Sequence, residues 1–148
     1  MRDDQLAASP FHLDAAAIGW VRATLARLTP DDKIRQLFNL RAVSDDPAVI
    51  AAQQAFRPGS ITRMPGADWA AERAAIAGFN AAAPVPLLVS ADLEGSRMSL
   101  AGGAELPNPL ALAAIDDVDT TIAVSRIMAE EARHVGINWS FTPVLDIN

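Results

Sequence analysis

Two aspartates stand at the ends of apolar runs. Asp92 follows Pro86-Leu87-Leu88-Val89-Ser90-Ala91, and Asp146 follows a second run that begins at Trp139 and ends at Leu145. Glu94, Gly95 and Arg97 come within five residues of the first. Charged groups packed beside a buried strand lose solvation unless they bind something, and such clusters mark candidate sites. Two carboxylates at one mouth suit the acid and nucleophile of a glycosidase. They also suit a polyhydroxy ligand, because an ionised carboxylate accepts the hydrogen bonds that hydroxyls donate. A divalent cation is the rival occupant, and a metal-dependent lyase using Asp92 and Glu94 the rival enzyme. A cation calls for more oxygen ligands or a histidine, and His12 and His134 lie far from both strand ends along the chain. His134 falls near a helix end, where it complements the helix dipole. No metal and no cofactor is expected.

These side chains need elements to position them. Residues 14–28 read as a helix capped by Asp14, with Ile18, Val21, Leu25 and Leu28 on one face. Thr29 and Pro30 open a second helix, helped by Asp31 and Asp32 at its positive end, with Ile34, Leu37 and Phe38 expected to face inward. The stretch 36–43 is open between helix and extended chain. A short helix is expected over 48–55, a short strand over 59–64, and a helix over 69–83 with Trp69, Ile76, Phe79 and Ala83 inward. The run 86–91 lacks polar alternation, the pattern of a strand buried on both faces of a parallel sheet. A loop follows through Pro109. Residues 117–135 read as a helix capped by Asp116, with Val118, Ile122, Ser125, Ala129, Ala132 and Val135 inward and Gly136 as its left-handed stop. Residues 139–145 read as the next strand.

Strands alternating with helices imply an α/β fold with a parallel sheet. In such folds the carboxyl ends of the strands form the working face, so both aspartates are expected at one mouth. About three strands are expected in 148 residues, whereas an eight-stranded barrel typically takes about 250. The chain is therefore expected to be the first part, about three βα units, of a larger barrel, with residues 1–148 the incomplete N-terminal portion of one domain.

Composition narrows the partners. The net charge is −6 and no dense basic cluster is present, so nucleic acid is not expected. No apolar stretch approaches the roughly 20 residues of a membrane span. The first residues carry acids and lack the apolar core of a secretory signal. With no cysteine, the chain has neither disulfides nor thiolate ligands. A soluble, cytoplasmic protein is the expectation.

Three ordered blocks resemble glycoside hydrolase family 3. Residues 86–97, ending Asp92-Leu93-Glu94-Gly95-Ser96-Arg97, are similar to the family's strand followed by D-x-E-G-G-R. Leu106-Pro107-Asn108-Pro109-Leu110-Ala111-Leu112-Ala113-Ala114 resembles its P-x-P-L-A-L-A-A stretch, and residues 130–146 resemble E-x-x-x-x-G-I-N-x-x-F-x-P-V-L-D. Lys33-Ile34-Arg35-Gln36-Leu37-Phe38 is similar to its entry helix, so the likeness spans roughly 29–148. The resemblance implies a (β/α)8 barrel and a retaining cleavage of terminal β-linked glucosides, xylosides or N-acetylglucosaminides, with the β-N-acetylhexosaminidase branch favoured. It implies that Asp92 binds sugar hydroxyls and is not the nucleophile. The nucleophile, a Lys-His pair and a His-Asp acid/base dyad are implied downstream, so this chain carries no catalytic residue and is expected to be inactive alone. The alternative is a non-catalytic module completed by a partner chain that supplies the rest of the barrel.

Two positions depart from the family pattern. Ser96 replaces the second glycine of E-G-G, and Leu100 stands where hexosaminidase-like members often have a second sugar-contacting arginine. Glu94 is expected to support the loop by accepting from backbone N–H groups or from Arg97. Arg97 has a structural role or reaches a ligand, and Asp146 positions a downstream arginine. Trp69 and Trp139 are expected in the core rather than as sugar platforms, and Met98 as a gap-filler.

Overall fold

A computed structural model describes residues 1–144, so Leu145 and the candidate Asp146 lie outside the described residues. An N-terminal pair, α1 (Asp3–Ala7) and α2 (Ala15–Arg27), leads into α3 (Pro30–Arg35). The alternating part follows as β1 (Asn39–Arg41), α4 (Pro47–Phe56), β2 (Ser60–Thr62), α5 (Trp69–Ala82), β3 (Leu88–Ala91), α6 (Pro109–Ile115), α7 (Val118–Val135) and β4 (Trp139–Ser140). The four strands pair in parallel in sequential order, β1-β2-β3-β4. A doubly wound sheet reverses its order at a switch point. Sequential order with helical crossovers is instead the start of a (β/α)8 barrel.

Local signals placed most of the helix starts. The Asp14 carboxylate accepts from Ala17 N–H at 2.8 Å. Thr29 Oγ1 accepts from Asp32 N–H at 3.1 Å, and Asp32 returns the contact to Thr29. Asp46 and Asp68 cap α4 and α5 in the same way. The α7 cap is Asp117, not Asp116, because Asp116 takes a left-handed φ of 52° that ends a helix unforeseen in the sequence. That helix, α6, starts at Pro109 behind the Asn108 cap, where the proline had read as part of a loop. Among the described residues there are four strands rather than about three, since the ambiguous stretch becomes β1.

Parallel-paired residues share a face. Leu40, Ile61, Val89 and Ala91 turn toward the helices and pack with Ile76, Phe79, Ala132, Val135 and Ile137. The opposite face carries Asn39, Thr62 and Ser90, joined laterally: Asn39 Nδ2 donates to Thr62 Oγ1 at 2.9 Å, and the Thr62 and Ser90 hydroxyls lie 2.8 Å apart. Asn138 locks β4 to β3. Its Nδ2 donates to Leu87 C=O at 2.9 Å, and its Oδ1 accepts from Val89 N–H at 2.8 Å.

Several expected burials fail. Of the α2 stripe only Leu28 is buried, and Thr24 replaces the rest. Leu37 is 85% exposed, and Ile34 and Phe38 are also exposed. The helix stops at Arg35, so its 3.6-residue period does not extend to Leu37 and Phe38, while Ile34 lies inside the helix and is exposed all the same. On α7, Ala132 and Val135 are buried but Val118 is 73% exposed and Ile122, Ser125 and Ala129 are exposed too. Their half of the stripe borders an open cleft between α6, α7 and the end of β4. Leu88 is exposed on the face that carries Ser90, while Ser90 itself is fully buried, so β3 is covered on both sides only toward its carboxyl end.

Candidate functional site

Asp92 follows the last residue of β3, and Arg41, Thr62 and Ser140 end the neighbouring strands at the same edge. The half-buried carboxylate thus stands at the carboxyl rim of the sheet, lining a cavity of about 240 Å³ with Arg63 and Met64, which follow β2, and with Arg97 and Met98 from its own loop. Among the described residues its side chain makes no hydrogen bond or ion pair, which leaves both oxygens to accept from a ligand.

Glu94 and Arg97 line an adjoining cleft of about 650 Å³, so Arg97 borders both spaces. The expected bond between them is not formed among the described residues. Met98 is half-buried between the two cavities, a wall rather than a core filler.

The loop that carries these groups is held by close backbone approach. Gly95 has φ 80°, and a Cβ there would meet Pro107 C=O at 2.3 Å. Ser96 is also left-handed, φ 53°, with its N–H donating to Leu106 C=O. The family's glycine suits that backbone, and serine holds it at a steric cost. Ser99 Oγ accepts from Leu106 N–H at 3.0 Å. The second departure, Leu100, is 5% exposed within the core cluster. It borders the Asp92 cavity with an apolar side chain that has no hydrogen-bond donor, unlike the arginine it replaces.

Two further carboxylates, neither of them a candidate site residue in the sequence, brace the rim. Glu131 on α7 accepts from Ala104 N–H at 2.9 Å, holding the far side of the Asp92 loop. Glu72 on α5 is 4% exposed and receives a two-pronged contact from Arg63, itself 2% exposed. Arg63 Nε and Nη2 donate to its two oxygens at 2.7 and 2.8 Å. The Glu72 hydrogen bonds raise the guanidinium pKa above its ordinary value against the opposing pull of burial. A lone arginine at a strand end, nine residues before a glutamate early in a helix, was the available signal.

Trp69 packs against the core as expected, and its Nε1 donates to Ala101 C=O at 2.6 Å, tying α5 to the same loop. Trp139 is not core. It is 41% exposed, edge-on to Phe141 with ring centres 4.8 Å apart. His134 lies against Trp69, and Arg73 Nη1 is 2.6 Å from its Nε2; a guanidinium only donates, so this nitrogen accepts. His12 is exposed on the N-terminal segment. Among the described residues no three acidic or histidine side chains converge as metal ligands, and no helix is long and apolar enough to cross a membrane.

Comparison with known proteins agrees with this geometry. Residues 29–148 match the glycosyl hydrolase family 3 N terminal domain. A β-N-acetylglucosaminidase/β-glucosidase of Cellulomonas fimi is 37% identical over 147 residues, which is 97% of this chain and 26% of that protein. The chain thus spans about a quarter of that curated relative. A β-glucoside phosphorylase solved with bound 2FGlc superposes with a TM-score of 0.85 at 28% identity, covering 99% of this chain and 27% of that one. A family 3 β-N-acetylglucosaminidase from Paenibacillus sp. str. FPU-7 superposes at 0.67 and 27% identity, covering 82% and 25%. With the strand order and the family match in agreement, this chain belongs to glycosyl hydrolase family 3, within its N-terminal barrel domain.

Proposed function

We propose that this chain supplies the sugar-holding side of a retaining β-glycosidase site for terminal β-N-acetylglucosaminides or β-glucosides. The observation that carries it is the Asp92 carboxylate at the rim, bordering a cavity with no side-chain partner among the described residues. In this reading Asp92 accepts from two pyranose hydroxyls, Arg97 faces the ligand across the cavity, and Glu94 shapes the adjoining cleft. None of the three is the nucleophile or the acid/base. Those groups, and an arginine positioned by Asp146, are assigned to the part of the barrel this chain does not span. A cytoplasmic location accompanies the reading.

The test is hydrolysis of nitrophenyl β-N-acetylglucosaminide and β-glucoside by the protein expressed from its natural coding sequence. Asp92→Ala is expected to cut kcat/KM by about 10²-fold or more, since each charge-assisted hydroxyl contact contributes about 1.5–3 kcal/mol. Unchanged kcat/KM would refute the assignment, and turnover by residues 1–148 alone would refute the absence of catalytic groups.

A second reading replaces water by phosphate as the acceptor. It is favoured by the likeness over 99% of this chain to a β-glucoside phosphorylase. Release of a sugar 1-phosphate in phosphate buffer separates the two.

A further inference from the structure

We propose that Arg63 is a positioning residue for the sugar site, acting through the loop between β1 and α4; this rests on the glycosidase reading above. Arg63 sits one residue past β2, with its N–H donating to Ser90 C=O at 2.8 Å, and its residue forms part of the wall of the Asp92 cavity. Its side chain turns to the helix side, where Glu72 takes two donors. The remaining donors do not go to Glu72. Nη1 reaches Ala42 C=O and, at 3.4 Å, Ser44 C=O, while Nη2 stands 3.6 Å from the exposed Asp45 carboxylate. One guanidinium therefore grips the first turn of the loop that leaves β1, from the rim position level with the cavity.

A buried ion pair contributes little net stability over apolar side chains of equal size. What an apolar pair cannot do is hold two carbonyls. The planar fork with its fixed donors suits that task, and a lysine point charge does not. The β1 loop is the rim segment beside β2, and Arg63 ties it to the wall of the cavity in which Asp92 meets a sugar.

The experiment uses the protein expressed from its natural coding sequence, with an Arg63→Met/Glu72→Met double variant and Glu72→Gln. The readouts are thermal melting, amide exchange over residues 43–46, and kcat and KM separately on the nitrophenyl substrates. The double variant should fold and melt near the wild type, exchange those amides about tenfold faster, and show KM raised about tenfold with kcat little changed. Glu72→Gln keeps an acceptor for the fork and should keep KM within about twofold. A folded double variant with wild-type KM overturns the proposal, as does unchanged exchange. A double variant that does not fold also overturns it, because the pair would then support the core rather than the mouth. If the wild type cleaves neither substrate, the glycosidase reading fails on its own, and the exchange data alone decide whether Arg63 holds the loop.

Discussion

Neighbouring residues of the Asp92 loop should respond to opposite substitutions with opposite signs. At Gly95 an alanine would meet two costs. The left-handed backbone, φ 80°, disfavours any L side chain by about 1–2 kcal/mol. The added Cβ would stand 2.3 Å from Pro107 C=O and 2.7 Å from its carbonyl carbon. Both are backbone atoms, so the strand of loop before α6 must shift, a cost on the order of 1–3 kcal/mol. The total is about 3 kcal/mol, or roughly 6–12 °C of melting temperature in a domain of about 150–250 residues. At Ser96, φ 53°, glycine removes the same conformational cost and adds about 0.5–1 kcal/mol of unfolded-chain freedom. Ser96→Gly should therefore be neutral to stabilising by about 1 kcal/mol. Denaturant unfolding of both variants, read beside amide exchange at Ser96, whose N–H donates to Leu106, measures the pair. Gly95→Ala melting within about 2 °C of the wild type, or Ser96→Gly losing stability, would refute the loop argument.

Asn138→Ala should lose about 2–4 kcal/mol, because Leu87 C=O and Val89 N–H are both left without the partner they share; a urea melt checks it. Trp69→Phe keeps the ring against the core but removes the bond to Ala101, and should cost about 1 kcal/mol with faster exchange over residues 101–105. Asp32 supplies a pH signature. Hydrogen bonding from Thr29, opposed by burial, holds its carboxyl below the ordinary carboxylate range. Its stabilising share is thus complete above the unfolded value, about 3.9, and is lost as pH falls through the lower folded value. As pH is lowered from 5 to 2, melting temperature should fall less steeply in Asp32→Asn than in the wild type.

Helix starts were legible because a cap is a local event: Asp14, Thr29 and Pro30 announce themselves within four residues. The family blocks were equally legible, and they led to Asp92 and its loop. Which face of a helix is buried was not. The α7 pattern is periodic over its length, but only its last turns meet α5 and the sheet, so Ala132 is covered while Val118 is bare. Pro109 misled because proline serves both turns and the first helical position, and only the Asn108 bond to Ala111 N–H decides between them. Arg63 and Glu72 escaped because neither meets its partner along the chain; a strand, a turn and a helix start bring them together. Trp139 reads as core because it begins a strand, yet its partner in register is Ser90, on the polar side of the sheet.

The Asn39–Thr62–Ser90 ladder has a bearing on how these strands find one another. Each is only three or four residues long, and short parallel strands have little to stop them sliding. A slip by one position would turn all three polar groups toward the helices and bring their apolar neighbours to the other side. Two lateral contacts spanning three strands thus act as a spelling check on alignment, made by groups that gain nothing from hydrophobic burial.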